Sequence, residues 1–338
     1  MASSRKKSAL GRGMKDLICD SLADLVREVP AETPADAGLR QLPLPHADAA
    51  LPVERRERPR VMAIASGKGG TGKSIVAVNL AVAMAGHLRV CLIDADFGLA
   101  NAHILMGLLP RRDISHLLSG ECGLGEVAID GPRGVKLLPG ASGIPELAAL
   151  DDESLRRLAT AVAPLIEGSD VTILDCPAGL GRHSLLLLHG ADLVVVVTTE
   201  DLTSMTDAYA LIKTLVLHRP GSVVGLLINE ARSLADGAET YRKIAHVSRK
   251  FLGREILSLG TVPHDPYLER SVMERRPVVA GHPSSTSARA LNELAVRLAS
   301  LRGVRPSLGF SERLHRTLAG TSVAGSRPPR HGDGLFAS

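Results

Sequence analysis

The residues Ser66-Gly67-Lys68-Gly69-Gly70-Thr71-Gly72-Lys73-Ser74 contain the spacing GxxxxGK[ST], which builds a cradle for a polyphosphate. Its glycines let the backbone turn until successive N–H groups face one anion. A helix opening at Ser74 adds the positive end of its dipole. In such a loop Lys73 reaches the β- and γ-phosphates and Ser74 offers its hydroxyl to Mg²⁺. Three carboxylates stand just beyond apolar runs: Asp94 and Asp96 after residues 90–93, and Asp175 after residues 171–174. Carboxylates at the ends of buried strands lie where α/β sheets collect their ligands.

Such a site needs strands that end together and a helix that starts at the loop. Apolar runs at 61–65, 90–93, 171–174, 193–197, 223–228 and 257–262 read as buried parallel strands. Helical patterns separate them at 74–85, 152–166, 204–217, 240–252 and 285–301. This alternation predicts an α/β fold, a doubly wound and mostly parallel sheet with helices on both faces. The pattern bounds a central domain at 60–302, with a basic, partly amphipathic extension and linker at 1–59 and a basic tail at 303–338.

Composition removes several alternatives. Four Phe, three Tyr and no Trp in 338 residues leave little for a site built on stacked bases. Cysteines 19, 91, 122 and 176 form no CxxC spacing, which argues against a self-contained zinc or iron–sulfur centre. No apolar run approaches the ~18 residues of a membrane span, and Asp16, Asp20 and Asp24 interrupt any signal-peptide core, so a cytoplasmic protein is expected. The basic excess sits in the ends, with 11 Lys/Arg against 9 Asp/Glu in residues 1–60 and 5 against 2 in residues 303–338. Charge alone therefore gives no reason to expect a DNA-binding core.

Lys68 adds a second lysine to the phosphate loop, and with it the loop resembles the deviant P-loop of the MinD/ParA ATPases. The resemblance spans residues 60–302. It implies an ATPase acting with ATP, ADP and Mg²⁺, and a homodimer closed by ATP in which Lys68 reaches the partner's phosphates. A fixed cation arriving there acts as an arginine finger does. Residues 94–101 (DADFGLAN) resemble the family's switch I, implying that Asp96 orients the attacking water and Asp94 supports the Mg²⁺ shell. Residues 175–179 (DCPAG) resemble its Walker B and switch II, implying Mg²⁺ held by Asp175 through water and a γ-phosphate sensed by the Gly179 N–H. Asn229 stands where the family reads the adenine edge, and Val262-Pro263-His264-Asp265 resembles its segment beside the base, which implies nucleotide contacts at Pro263 and Asp265.

Within the family, residues 94–107 (DADFGLANAHILMG), 203–213 (TSMTDAYALIK) and 111–139 resemble the flagellar-number regulators of the FlhG branch. That branch implies control of flagellar number and placement, with the flagellar GTPase FlhF, the C-ring or a flagellar transcription activator as partner. The chain differs from it in having Asp201-Leu202-Thr203 for Glu-Pro-Thr and His103 for an acidic residue. Division-site regulators of the MinD type would need lipid, ParA-type positioners would bind nonspecific DNA, and an adaptor would act without turnover. Residues 9–18 (ALGRGMKDLI) resemble the peptide with which ParB proteins stimulate ParA ATPases, implying a tethered activator in which Arg12 supplies charge near a nucleotide. At the other end, Leu308, Phe310, Leu314 and Leu318, with Arg313 and Arg316, are spaced for an amphipathic helix on anionic lipid. Two copies in a dimer would add avidity and place the protein at the inner face of the membrane or the cell pole.

Overall fold

The computed structural model describes residues 61–142, 150–301 and 308–320. Arg12 and the ParB-like peptide around it lie outside these residues. The elements that matter here run β1 (Val61–Ala65), α1 (Lys73–Ala85), β2 (Val90–Asp94), α2 (Ala102–Leu105), β3 (Ile129–Asp130), β4 (Lys136–Leu138), α3 (Asp152–Gly168) and β5 (Val171–Asp175). They continue with α4 (Arg182–Gly190), β6 (Leu193–Thr198), α5 (Leu202–His218), β7 (Val223–Ala231), α6 (Leu234–Leu252), β8 (Leu257–Pro263), α7 (Pro266–Met273), α8 (Thr286–Ala299) and α9 (Phe310–Leu318). Short helical turns lie within some of the remaining connections, as at Ile114–Ser119 and Leu124–Val127.

The strands form one sheet in the order β3-β4-β2-β5-β1-β6-β7-β8, parallel throughout except for the β3–β4 pair. This is the doubly wound architecture that the alternating pattern predicts. The six apolar runs become β1, β2, β5, β6, β7 and β8 within a residue or so at most ends, and β7 runs on to Ala231. Side-chain alternation along β1 separates two cores. Val61, Ala63 and Ala65 join the layer holding α3, α4, α5 and α9, while Met62 and Ile64 face the layer holding α1 and α8. The order reverses about β1, with β5 on one side and β6 on the other, which opens a crevice at its C-terminal end.

The C-terminal segment packs back on the domain. A helix does form at Phe310–Leu318, but its apolar face is covered by the domain. Phe310 and Leu314 are buried, and the Phe310 ring fills a notch over Gly190 that a methyl group would close, since a Cβ there would lie 2.6 Å from the ring. Leu318 is partly buried against the same layer, and Leu308 is half-buried just before the helix. These four side chains therefore do not present a lipid-facing stripe here. Polar contacts reinforce the seat: Arg313 donates to the carbonyl oxygen of Gly190 at 2.8 Å and pairs with buried Asp192, which also accepts from the Val61 N–H at 2.9 Å. Arg313 thus satisfies an orphan carbonyl at the end of α4 and neutralises a buried carboxylate.

A buried cation with these partners cannot be removed cheaply. Arg313→Ala is expected to lower the unfolding free energy by about 3 kcal/mol in urea titrations followed by circular dichroism. Arg316→Ala, on the exposed side of α9, should cost less than about 1 kcal/mol. Equal, small losses would contradict a helix seated as described.

Candidate functional site

The phosphate loop runs from the end of β1 into α1, and close contacts dictate two of its glycines. A Cβ on Gly67 would lie 2.2 Å from the backbone carbon of Asp207, because the loop rests directly on α5. One on Gly72 would lie 2.2 Å from Asn229 Nδ2, and Gly72 also has φ 78° as the residue preceding α1. Gly69 and Gly70 form the open crest, with nothing within 4 Å of a Cβ built on either, and Gly70 also has a positive φ of 80°. No side chain caps α1, so its leading N–H groups are left to the loop's own occupant.

Beneath the loop lies a buried charge cluster. Lys73 is 7% exposed; its Nζ pairs with Asp175 Oδ1 and lies 3.3 Å from Ser74 Oγ. Burial alone would lower the lysine pKa, but the charge and hydrogen bond of Asp175 outweigh it and hold the pKa above its ordinary value. Asp175 Oδ2 is buried with no hydrogen-bond partner among the described residues. Asp94 sits in register with Asp175 on the neighbouring strand and is fully buried. Burial first, and the Asp175 charge second, push the Asp94 carboxyl up from the ordinary range. Its Oδ2 accepts from the N–H groups of Asn101 and Ala102, both at 2.9 Å, so Asp94 anchors the start of α2. Asp96 is half-buried, and its carboxyl is raised by burial despite the opposing pull of Lys73.

The expected residues converge at this edge of the sheet, though several are already engaged. Gly179, at φ 87°, donates its N–H to the Ser66 carbonyl at 2.8 Å, so that group is committed to the loop instead of free to meet a phosphate. Lys68 Nζ donates to Thr203 Oγ1 at the start of α5, 2.9 Å away, and Ser66 Oγ donates to the Lys68 carbonyl at 2.8 Å. Asn229 is fully buried and donates from Nδ2 to the Thr71 carbonyl at 2.9 Å. A carbonyl can only accept, which leaves Asn229 Oδ1 as a buried acceptor with no partner among the described residues. Thr71 Oγ1 is buried and unpartnered as well.

Asp265 is engaged within the protein. Its carboxylate accepts from Tyr267 N and from Thr286 Oγ1, Ser287 N and Ser287 Oγ, at 2.8–3.0 Å. Burial would raise this carboxyl, but those hydrogen bonds prevail and hold it down at about 2. It caps α7 and ties it to the start of α8. Pro263 ends β8 in register with Ala231, close to Asn229 along the sheet edge. Two contributors escaped the residue pattern. Thr203 holds Lys68 and Ser66 ties the loop crest to Gly179, both through contacts between distant parts of the chain that no local spacing marks.

The donor set suits Mg²⁺. The Ser74 hydroxyl and the unpaired Asp175 oxygen are hard oxygen ligands, and the described residues contain no group of three His, Cys, Asp or Glu side chains able to cage a metal. An ion that keeps most of its water and binds through phosphate fits such a sparse site.

The comparisons agree with this geometry. Residues 62–278 match the CobQ/CobB/MinD/ParA nucleotide binding domain. The antiactivator FleN of Pseudomonas aeruginosa is 35% identical over 242 residues, covering 71% of this chain and 86% of FleN. The flagellum site-determining protein YlxH of Helicobacter pylori is 31% identical over 244 residues, covering 71% of this chain and 82% of YlxH. The Pyrococcus horikoshii septum site-determining protein MinD, solved with Mg-ADP, superposes with a TM-score of 0.60 at 26% identity, covering 70% of this chain and 94% of that one. With its doubly wound sheet and its phosphate loop carrying both Lys68 and Lys73, the chain belongs to the MinD/ParA family of nucleotide-binding proteins.

Proposed function

We propose that this protein is a Mg²⁺-dependent ATPase whose output is its assembly state, with an ATP-bound homodimer that regulates the number or placement of flagella. The observation that carries the reading is the buried Lys73–Asp175 pair beneath an uncapped helix start, with Asp175 Oδ2 and the Thr71 hydroxyl left unpaired beside it. Buried polar atoms are costly when unsatisfied, so their concentration around one loop marks where a ligand completes the structure.

In this reading the N–H groups of residues 67–74 and the Lys73 ammonium hold the β- and γ-phosphates. Ser74 and Asp175 hold Mg²⁺, Asp175 through water, with Asp94 setting the charge behind it. The ion supplies charge neutralisation on the phosphate oxygens when bound. Asp96 positions the attacking water, whose oxygen displaces ADP from the γ-phosphorus to give ADP and phosphate. Lys68 leaves Thr203 and completes the partner's site. Gly179 exchanges its bond to Ser66 for one to the γ-phosphate, which would make the switch sensitive to nucleotide state. Asn229 Oδ1, an acceptor, suits the amino group of adenine.

The flagellar assignment rests on the relatives FleN and YlxH, and on residues 203–213 forming the first part of α5, the bed of the Lys68 loop. Partners follow from the same reading: FlhF, the C-ring or a flagellar transcription activator. Lipid contact through α9 would require that helix to leave its seat on α3 and α4. A lipid-dependent, MinD-type role therefore draws less support from this chain, and nothing in the site favours a nonspecific DNA role.

Two measurements test the proposal. Lys73→Ala should weaken Mg-ATP binding at least ~100-fold in calorimetry, whereas Asp96→Ala should bind ATP normally, lose about 100-fold in phosphate release and accumulate as a dimer in sedimentation velocity. An Asp96→Ala chain that hydrolyses normally would remove the switch reading. In a flagellated host, flagella counted by electron microscopy should change on deletion and return only with the wild-type gene, not with Asp96→Ala. Unchanged counts would leave an ATPase with a different cargo.

A further inference from the structure

Leu109 and Met273 are the most exposed large apolar side chains among the described residues, at 88% and 84%. Each lies two residues from a single close contact. Gly107 packs on Arg275 so tightly that a Cβ would come 2.9 Å from the Arg275 carbonyl oxygen, and Arg275 itself has a left-handed φ of 50°. Arg111, Arg112, Arg275 and Arg276 surround the contact along both chain segments, and none of them forms an ion pair among the described residues. The nearby acids are already used. Glu274 is held by Arg270 and His282, and Asp113 caps the short helix Ile114–Ser119. The result is an apolar centre with an uncompensated cationic rim.

A surface of this chemistry accepts an acidic amphipathic helix. The chain contains one such pattern in residues outside the described structure. Asp16, Asp20, Asp24 and Glu28 recur every four positions, and Met14, Ile18, Leu22, Leu25 and Val29 share one face at helical spacing. The 31 residues from Pro30 to Arg60 join this segment to β1 and can span ~100 Å when extended, several times the ~18 Å radius of gyration expected for a domain of this size. A bilayer is the poorer occupant. Insertion calls for a broad apolar face, and the neighbouring ring of Tyr267 is held in a tilted contact with His282, centroids 5.1 Å apart.

We propose that residues 14–29 dock in cis on the surface formed by Leu109, Met273 and the four arginines. The segment carrying Leu109 continues directly from α2, whose start Asp94 holds, so the docked helix bears on the outer end of switch I. An N-terminal segment placed there would regulate the nucleotide site without entering it.

Hydrogen exchange on the full chain, without nucleotide, tests this independently of the ATPase reading. At an effective concentration of ~1 mM, a contact with an intrinsic Kd of ~100 µM is about 90% closed, so Leu22→Asp/Leu25→Asp should speed exchange of the amides at 105–112 and 271–277 about tenfold. Arg275→Glu/Arg276→Glu should do the same, and adding Asp20→Arg/Asp24→Arg to it should restore protection, a rescue that a merely loosened loop would not give. Unchanged exchange in the first variant, or no rescue in the last, overturns the proposal. Protection that grows with protein concentration would assign the surface to a second copy. Protection gained only with phosphatidylglycerol vesicles would assign it to a membrane. Either outcome also overturns docking in cis.

Discussion

The site is organised around an imbalance of buried charge. Lys73 faces Asp175 directly, with Asp94 packed alongside and Asp96 at the rim, so one ammonium is set against three carboxyl groups in a region largely closed to water. Burial makes each unpaired charge expensive, and Asp94 responds with a raised pKa. Asp175 Oδ2 has no protein partner among the described residues to relieve it. A hydrated divalent cation beside that oxygen would offset the excess negative charge and release Lys73 to a polyphosphate bound with the ion. That is why the arrangement reads as half of a complex instead of a self-sufficient ion pair.

The surrounding fold keeps this imbalance in place. β2, β5 and β1 lie side by side in parallel register, which fixes Asp94 against Asp175 and brings the loop over both. Gly67 lies on the backbone of α5 and Gly72 on Asn229, so the loop is clamped from two sides while its crest stays open. Hydrogen bonds then link the loop to its neighbours in a short series, from Gly179 to Ser66, from Ser66 to Lys68, and from Lys68 to Thr203. Any ligand that draws on Gly179 or Lys68 must break into that series. A two-state response has a physical basis there. Arg313 and Phe310 secure the end of α4 at Gly190, so the helix following residues 175–179 is held by α9.

Much of this was legible in the residues themselves. The six long strands announced themselves as continuous apolar runs because both faces of a parallel sheet are covered. The phosphate loop was legible because its glycines and Lys73 must keep fixed spacing. Short elements were harder. β3 and β4 comprise two and three residues, too few to show a period, and α6 begins at Leu234, well before the apolar pattern at 240, because Ser233 accepts the Asp236 N–H as a cap. At Asp265 and α9 the sequence leaves the partner open for a common reason. A carboxylate beside a sheet edge and an apolar stripe on a short helix look the same in sequence whether they serve a ligand or a neighbour. Only the tertiary contacts show that Ser287 and Thr286 occupy the first and that α3 and α4 cover the second. Thr203 and Ser66 bond across long separations or through the backbone, where spacing carries no signal.

The central claim is that nucleotide and Mg²⁺ together complete the buried cluster at Asp175. The most direct test compares thermal unfolding of the full chain with ADP and Mg²⁺, with ADP and EDTA, and with neither, for the wild type and for Asp175→Asn. ADP should raise the melting temperature of the wild type, and Mg²⁺ should add a further, separate increase. In Asp175→Asn the ADP effect should persist while the Mg²⁺ increment disappears. An equal Mg²⁺ increment in both proteins, or no stabilisation of the wild type by Mg-ADP, would contradict that claim.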